Sequence, residues 1–423
     1  MKHWRIAAVD ALEILDSRGH PTVLAQVTLS DGSRGGAMVP SGASTGQYEA
    51  HERRDGDADR FGGKGVSAVI ESIRGDIAGV LVGMTAEQQA IDRRLCRLDG
   101  TEDKHRLGAN GMLAVSLAAS RALAKANGQP LWQWLAEQDP RRLPCPMMNI
   151  LNGGAHAGNN LDIQEFMIVP QGLPTFSEAV RCGAEIYHAL GRLLKKKGLS
   201  TAVGDEGGYA PDLPDDAAAL ELLCEAITVA GYSTDQVRIA LDVAASEWVT
   251  ADGYHLPKQG VTVSRSLLAE KWETLAQQWP LISIEDPFGD DDRLGWQQLT
   301  ANIGGSLLLV GDDLFVTQEG RLNDGIADGI ANAILIKPNQ VGTLSETLST
   351  IRTAQTAGYV PILSHRSGDT EDPLIADLAV AVGAPFIKTG APCRAERTAK
   401  YNRLLAIEHA LGYSADFGGS FRL

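Results

Sequence analysis

The sequence predicts an α/β protein with a C-terminal (β/α)8-type barrel, preceded by a smaller α+β N-terminal domain. Beyond about residue 140, short apolar runs alternate with helical patterns, which is typical of a parallel sheet with right-handed crossovers. A polar residue stands at or just after the C-terminal end of each run, where barrel enzymes keep their chemistry. The earlier part mixes a β-rich opening with helices. Together these observations favour a catalytic barrel with an additional N-terminal domain.

The N-terminal part is predicted to begin with a hairpin and to continue with helices. The stretch "PTVLAQVTLSDGSRGGAMV" alternates about Asp31 and Gly32, a dipeptide typical of tight hairpin turns. Helical periodicity follows near residues 65–82, 86–97 and 109–127. The best candidate boundary is "EQDPRRLPCP", which has three prolines and a charge cluster. We therefore predict one domain at 1–138 and a second at 139–423.

Composition excludes several classes of partner. The chain has 423 residues and a formal net charge of −15, which argues against a nucleic-acid-binding surface. Its five cysteines are scattered without CxxC spacing, so we expect neither a disulfide framework nor a zinc site. The opening stretch lacks the features of a signal peptide, and no apolar run is long enough to span a membrane. The sequence therefore predicts a cytoplasmic protein with no nucleic-acid or membrane partner.

The polar residues at the strand ends form a series of acids followed by bases. They are Asp242, Glu285, Asp312, Lys337, His365 with Arg366, and Lys388. In a closed barrel these strand ends converge on one mouth. A single charged strand end is usually a turn residue or a helix cap, but charges are rarely directed inward in such a series. We therefore predict a functional site at the barrel mouth.

Three of these residues are carboxylates on successive strand ends: Asp242, Glu285 and Asp312. Hard oxygen ligands, without sulfur and with little histidine, suit Mg²⁺ better than a transition metal. Each acid alone would be explained as a turn residue or a helix cap, and the adjacent Asp313 is expected to be one. As a trio they would repel one another without a divalent cation, so they predict a magnesium site.

Lys337 ends the apolar run of "AILIKPNQVGT", and Pro338 holds it in an extended conformation. Taken alone, such a lysine would keep its ammonium in water and bury only its stem. Beside Mg²⁺ and Arg366, however, the ammonium would be disfavoured and its pKa would fall. A fall from ~10.4 to about 7–8 would give a neutral amine that can remove a proton next to a carboxylate.

Two further segments upstream offer acid–base groups. "NGGAHAGNNLDIQEFMIVP" contains His156, Gln164 and Glu165, and "VGDEGGYAP" contains Glu206 followed by paired glycines. Glycines allow a ligand to approach the backbone closely, and a carboxyl group in a closed site can act as a general acid. Considered alone, both segments would be structural turns.

Residues 39–50, "VPSGASTGQYEA", form a loop of small residues in the N-terminal domain. Its hydroxyl and carbonyl groups suit a mobile lid that can reach a metal ion or a phosphate group. Without the evidence for a barrel, a flexible surface turn would explain the same loop. The similar-looking "FGGKGV" does not have the spacing of a phosphate-binding loop, and we interpret it as surface.

Taken together, the segments resemble the enolase family. The resemblance rests on "DSRGHPTV", "VPSGASTG", "NGGAHAGNNLDIQEFM", "VGDEGGYAP", "ALDVAASE", "SIEDPF", "VGDDLFVT", "LIKPNQVGT", "SHRSGDTEDPLIADLAV" and "IKTGAPCRAER". They match in order and spacing over nearly the whole chain. The resemblance implies a barrel that begins ββαα before its (βα)6 part. It also implies Mg²⁺ chemistry with a lysine or histidine base, for which enolase-superfamily sites are the established example.

The resemblance further implies an enzyme of glycolysis and gluconeogenesis. Its reaction would be the reversible, Mg²⁺-dependent dehydration of 2-phospho-D-glycerate to phosphoenolpyruvate, with two Mg²⁺ ions per site when substrate is bound. By position, the family's base corresponds to Lys337, and its acid corresponds to Glu206, assisted by Glu165. The ligands of the first Mg²⁺ correspond to Asp242, Glu285 and Asp312, and a ligand of the second corresponds to Ser44. Arg366 and Ser367 correspond to the phosphate contacts, Lys388 to the carboxylate contact, and His156 and Gln164 to residues that line the pocket.

Two other functions are weighed against this one. An enolase-like enzyme acting on a phosphonate or carboxyphosphonate should differ around Ser44, Arg366 or Lys388, and a non-catalytic binding protein should have lost a ligand or the base. Neither change is present.

The departures from the family pattern are His20, Leu24 and Gln47. Leu24 replaces an acid that tends to join a cross-subunit ion pair. The implied homo-oligomer, a dimer or a multiple of dimers, would lack that contact.

Overall fold

The N-terminal part begins with a three-stranded antiparallel sheet. The computed structural model of the chain describes residues 3–42, 46 and 48–417. The strands are β1 (Ile6–Leu15), β2 (Pro21–Leu29) and β3 (Arg34–Met38), and β2 lies between the other two. The turn between β2 and β3 confirms the predicted hairpin. Gly32 in this turn has a φ of 86°, a left-handed conformation that glycine adopts without steric cost.

Helices follow the sheet, and all but the last lie where the periodicity predicts them. They are α1 (Ser67–Ser72), α2 (Ala78–Leu81), α3 (Gln88–Asp99), α4 (Ala109–Ala126) and α5 (Leu131–Trp134), with a π-helical turn at Ile73–Ile77 between α1 and α2. Helix α4 is buried along most of its length and packs on β2 and β3. A Cβ atom at Gly35 of β3 would lie 2.2 Å from the carbonyl oxygen of Ala118, so this close packing requires glycine.

The remainder of the chain alternates strands and helices. In chain order they are β4 (Arg142–Leu143), β5 (Cys145–Asn152), β6 (Glu165–Val169), α6 (Phe176–Lys196), α7 (Asp216–Val229), β7 (Arg238–Asp242), β8 (Val249–Thr250), β9 (Gly253–Leu256), β10 (Val261–Val263), α8 (Arg265–Gln278), β11 (Leu281–Glu285), α9 (Arg293–Ile303), β12 (Leu308–Gly311), α10 (Glu319–Asp328), β13 (Ala333–Ile336), α11 (Leu344–Thr356), β14 (Val360–Ser364), α12 (Leu374–Ala381), β15 (Phe386–Lys388), α13 (Ala395–Leu411) and β16 (Asp416–Phe417).

Eight of these strands close into a barrel in the order β11-β12-β13-β14-β15-β5-β6-β7. This confirms the predicted (β/α)8-type fold, and the succession β5, β6, α6, α7 confirms its ββαα start. Strand β6 is antiparallel to both β5 and β7, whereas the other neighbours in the barrel are parallel. Glu165, the first residue of β6, therefore pairs with Asp242, the last residue of β7.

Capping side chains explain where several barrel helices begin. Thr175, Asp215, Ser264, Asp292 and Thr343 each precede a helix and accept a hydrogen bond from a backbone N–H of its first turn. Each such cap satisfies a donor that has no partner within the helix and contributes about 1 kcal/mol. The caps fix the boundary between each of these five helices and the segment that precedes it.

The barrel interior is apolar below the mouth. The residues that fill it are Cys145, Met147, Met167, Val169, Ala240, Ile282, Leu308, Val310, Ala333, Leu335, Val360, Ile362 and Phe386. The polar strand ends lie above this packed layer. The barrel is therefore closed at one end, and ligands can approach only from the other.

The sequence did not predict the small antiparallel sheet formed by β8, β9 and β10. It lies between β7 and α8, where the sequence shows only a long interval between two strand patterns.

The N-terminal part lies against the loops of the barrel mouth. Arg121 of α4 forms an ion pair with Asp372, which also accepts a hydrogen bond from the backbone N–H of Met38 at 2.9 Å. Ser41 and Gly368 exchange two backbone hydrogen bonds of 2.8 and 3.0 Å.

The division of the chain into two domains at 138/139 stays a prediction. Among the helices of the described residues, none is long and apolar enough to cross a membrane.

Candidate active site

The strand ends surround a cavity of about 120 Å³ at the barrel mouth. Predicted site residues that line it are His156, Gln164, Glu165, Glu206, Asp242, Asp312, Lys337, Arg366, Ser367 and Lys388. Glu285 is 1% exposed and contacts the amine of Lys388. Ser44, like Gln47, lies outside the described residues. The structure thus brings together all the predicted site residues that it describes, while their roles stay predictions.

Lys388 lies at the centre of a carboxylate cluster. Its Nζ donates to Asp242 Oδ2 at 2.8 Å and to Glu285 Oε2 and Oε1 at 2.8 and 2.9 Å. Glu165 Oε2 lies 3.4 Å from the same nitrogen. Burial disfavours the ammonium, but the three carboxylates outweigh burial and raise the pKa of Lys388 well above its ordinary value. The oxygens of Asp242 and Glu285 therefore converge on a single cation.

Asp312 belongs to a neighbouring cluster. It forms an ion pair with Lys337, and its backbone N–H donates to Asp286 Oδ1 at 3.0 Å. The N–H of Asp313 donates to the other oxygen of Asp286 at 2.8 Å. Burial, and then repulsion by Asp312, raises the pKa of Asp313 to about 7. This loop concentrates negative charge next to the proposed base.

The protein groups alone do not lower the pKa of Lys337 in the way the sequence analysis predicted. Burial lowers this pKa, but attraction to Asp312 outweighs burial, and the pKa of Lys337 lies above its ordinary value. Arg366 and Lys388 act in the same direction as burial without reversing the result. The prediction neglected the fact that one of its own metal ligands forms an ion pair with the lysine.

The donor set fits a divalent cation with oxygen ligands. Carboxylates outnumber lysines and arginines around the cavity, and burial together with Asp242 raises the pKa of Glu285 well above its usual range. A hard divalent ion relieves such repulsion and prefers these ligands. Among the described residues, Asp286, Asp312 and Asp313 form one further cluster whose oxygens lie within 4.8 Å of one another. The acidic residues around the cavity can therefore hold a divalent metal ion.

A second cluster joins His156, Glu165 and Glu206, with ligand atoms within 4.8 Å of one another. Burial, and then repulsion by Glu206, raises the pKa of Glu165 well above its usual range. Burial acts in the same direction on Glu206, but the adjacent histidines outweigh it and hold the pKa of Glu206 well below its usual range. The pKa shifts of the two carboxyls are therefore opposite, and Glu206 must receive a proton, with Glu165 the adjacent carboxyl, before it can act as the predicted acid.

Two side chains place a nitrogen atom close to the same carboxylate oxygen of Glu206. Asn149 Nδ2 donates to Glu206 Oε2 at 3.1 Å, and His365 Nε2 lies 3.3 Å from the same oxygen. His365 is 3% exposed and follows β14 directly. The sequence analysis placed His365 at a strand end but gave it no role.

Arg366 meets a carboxylate from the N-terminal part. Its guanidinium donates to Glu49 from Nη1 at 2.9 Å and from Nη2 at 3.2 Å. Glu49 also accepts from the backbone N–H of Gly46 at 3.1 Å and from Gln340 Nε2 at 3.3 Å. The sequence analysis missed both Glu49 and Gln340. Glu49 belongs to the small-residue loop and Gln340 follows Lys337 by three residues, so membership of the predicted motifs was the signal that could have found them.

Comparison with known protein families agrees with this architecture. A family model described as "Enolase, N-terminal domain" matches residues 6–135. A second, described as "Enolase, C-terminal TIM barrel domain", matches residues 140–422. The two models together extend over nearly the whole chain, including every residue that lines the cavity.

Proposed function

Since the chain belongs to the enolase family, whose members are lyases that use a divalent metal, we propose that it is a phosphopyruvate hydratase. The reaction is the reversible dehydration of 2-phospho-D-glycerate to phosphoenolpyruvate, a step of glycolysis and gluconeogenesis, and the cofactor is Mg²⁺. The observation that carries this proposal is the composition of the mouth cavity. A lysine, a buried pair of carboxyl groups and an arginine line the same small space.

The cations of the cavity account for recognition of a substrate with two anionic groups. Arg366 can give a phosphate two parallel, charge-assisted hydrogen bonds, and Ser367 beside it supplies a hydroxyl. Lys388 is proposed to contact the carboxylate. All three of its N–H donors face Asp242, Glu285 and Glu165, so it must release at least one of them to bind substrate.

The acid–base groups account for the chemistry. Lys337 Nζ first takes the C2 proton, and the electron pair of that C–H bond is delocalised into the substrate carboxylate as an enolate. When the C3–O bond then breaks, this pair forms the C2–C3 double bond. Glu206, with Glu165 beside it, supplies the proton that converts the departing hydroxyl into water. His156 and Gln164 complete the wall on the side of these carboxyl groups.

The metal site supports the same proposal. Asp242, Glu285 and Asp312 would hold the first Mg²⁺ and Ser44 would join a second, and the bound ions would supply positive charge beside the substrate carboxylate. Lys337 can act as a base only when it is not paired as an ammonium with Asp312. The proposed metal ligands and the proposed base are therefore directly coupled.

The test is formation of phosphoenolpyruvate from 2-phosphoglycerate, followed by NMR with Mg²⁺ and after chelation. We expect turnover that chelation abolishes and Mg²⁺ restores. Lys337→Met should be inactive, whereas Lys195→Met, which changes an exposed lysine of α6, should match the parent protein. If the pure protein leaves 2-phosphoglycerate unchanged but transforms a phosphonate or carboxyphosphonate, the substrate assignment is wrong. If it transforms none of them, the chain is a binding protein.

We also propose a cytoplasmic homo-oligomer built from dimers. Leu24 of β2 pairs with Leu12 of β1 in the N-terminal sheet, and Leu12 is 50% exposed. A dimer contact through these two leucines would therefore be apolar. Light scattering at low and high salt tests this proposal. We expect a dimer mass or a multiple of it at both salt concentrations, and a monomer would contradict it.

A further inference from the structure

Arg397, on α13, is a fully buried guanidinium that does not line the cavity. It nevertheless contacts the backbone of both loops that carry acid and phosphate-binding residues. Nη1 donates to the carbonyl oxygen of Arg366 at 2.6 Å, and Nη2 donates to those of Ser367 and Asp205 at 2.7 and 3.2 Å. A buried charge is costly unless its donors are satisfied, so this set of acceptors fixes the position of Arg397.

The fourth acceptor is the side chain of His365. Arg397 Nη1 lies 2.6 Å from His365 Nδ1. Arginine has only donors and stays protonated, so Nδ1 must accept this hydrogen bond. A neutral imidazole has one donor and one acceptor nitrogen, and the ring hydrogen is therefore on Nε2.

The Nε2–H group lies beside Glu206, although it is not aligned for a regular hydrogen bond. The distance from His365 Nε2 to Glu206 Oε2 is 3.3 Å, and Asn149 Nδ2 reaches the same oxygen at 3.1 Å. The N–H groups beside Oε2 favour negative charge on this oxygen, so a proton that Glu206 receives is favoured on Oε1. That oxygen is the one free to give its proton to a leaving group.

We propose that Arg397 is a positioning residue, which fixes the Nε2–H tautomer of His365, keeps a donor beside Glu206 Oε2 and thereby leaves Oε1 to receive the catalytic proton. The charged groups around His365 agree with a ring that stays neutral. Burial and Arg397 lower the pKa of His365 while Glu206 and Asp369 raise it, and it lies at about 4. In a protonated ring, the Nδ1–H donor would face the N–H donors of the guanidinium, and no acceptor would lie between them.

The consequence for catalysis rests on the proposed function, but the tautomer does not. In Arg397→Met, the ring can take the Nδ1–H form and turn an acceptor toward Glu206. The step that needs the acid should then slow by about 10- to 100-fold in kcat. KM should change by less than about twofold, because Arg397 does not line the cavity. Exchange of the C2 proton with solvent, which needs only the base, should persist.

The experiment is ¹⁵N NMR of the full chain labelled at histidine, with the His365 signal identified by its loss in His365→Gln. We expect the wild-type ring to be neutral at pH 7 with its hydrogen on Nε2. Arg397→Lys, whose single ammonium cannot serve four acceptors, and Arg397→Met should shift the ring toward Nδ1–H. The control is Lys400→Met, which removes another buried cation one turn along α13 that donates to backbone carbonyls and pairs with Asp369 but has no contact with His365 Nδ1. It should leave the His365 tautomer unchanged.

A wild-type ring with its hydrogen on Nδ1, or a protonated ring, would overturn the proposal without any variant. An unchanged tautomer in folded Arg397→Lys would do the same. These readouts need no substrate. The tautomer assignment can therefore be correct even if the proposed function is wrong, and it can be wrong even if the protein dehydrates 2-phosphoglycerate.

Discussion

Arg366 and Glu49 form a two-bond ion pair between the barrel and the N-terminal part, with Nη–Oε distances of 2.9 and 3.2 Å. Both side chains are almost completely buried, at 5% and 6% exposure. The carboxylate of Glu49 therefore bonds to the guanidinium that we propose for the substrate phosphate. An incoming phosphate must compete with Glu49 for these donors.

Glu49→Gln should strengthen binding of inorganic phosphate, used as a probe of this site. The substitution removes a buried negative charge and one competing acceptor, and a charge-assisted hydrogen bond contributes about 1.5–3 kcal/mol. Titration calorimetry should show a Kd lowered by at least about fivefold. The matched control is Glu52→Gln, whose carboxylate contacts Arg54 and Ser41 rather than Arg366. Weaker binding in Glu49→Gln would mean that Glu49 orients Arg366 for phosphate.

Removal of the proposed base and the proposed acid should affect different partial reactions. Lys337→Ala should lose both dehydration and exchange of the C2 proton of 2-phosphoglycerate with D₂O. Glu206→Gln should lose dehydration but retain measurable exchange, because proton abstraction precedes loss of the hydroxyl group. NMR in D₂O with Mg²⁺ measures both. Persistent exchange in Lys337→Ala would transfer the role of base to another group, with Lys388 the first candidate.

Mg²⁺ should raise the thermal stability of the protein, since the carboxylates that face the barrel mouth repel one another. Calorimetry should show a Tm that rises with Mg²⁺ and falls again on chelation. In Glu285→Gln the Kd for Mg²⁺ should increase at least about tenfold, because a charged oxygen ligand is lost. Glu270→Gln, the same change on the exposed side of α8, should bind Mg²⁺ as the parent does. Equal affinity in all three proteins would place the metal elsewhere.

Arg121→Ala should lower the free energy of unfolding at neutral pH by about 2–3 kcal/mol, because it leaves the carboxylate of Asp372 buried without its cation. Burial raises the pKa of Asp372, but Arg121 outweighs it and holds this pKa below its usual value. The contribution is therefore complete above the unfolded-state pKa of about 3.9 and is lost as the pH falls further.

Urea denaturation of both proteins between neutral and acid pH measures this difference. Arg181→Ala, which removes an exposed ion pair on α6, is the control and should change the stability much less than Arg121→Ala does. A stability difference that grows toward acid pH would contradict the assignment to Asp372.

Much of the fold could be predicted because the barrel has a regular local signal. Each strand is a short apolar run followed by a polar residue, and each helix has its own periodicity, so strand order and strand ends follow from the sequence. The apolar stretch before Lys337 and the acid after β12 lie where this pattern predicts them. The β8–β10 sheet has short strands, and its outer strands β8 and β10 are largely exposed, so it gives no such signal.

The contacts that organise the site could not be predicted in the same way. Glu49 and Arg366 are distant along the chain, and so are Asp205 and Arg397. Within α13, Arg397 is one charged residue among several and its sequence neighbourhood does not indicate burial. Only the folded chain shows that it lies beneath two loops of the mouth.

The antiparallel pairing of β6 with β7 determines which insertions and deletions the site tolerates. Successive residues of a strand face opposite sides, so a slip of one position along β7 would turn Glu165 away from the cavity and bring Phe166 toward it. Insertions in the connection that precedes β6 leave this alternation intact. A single-residue deletion within β6 does not, and it should abolish activity even where the barrel still closes.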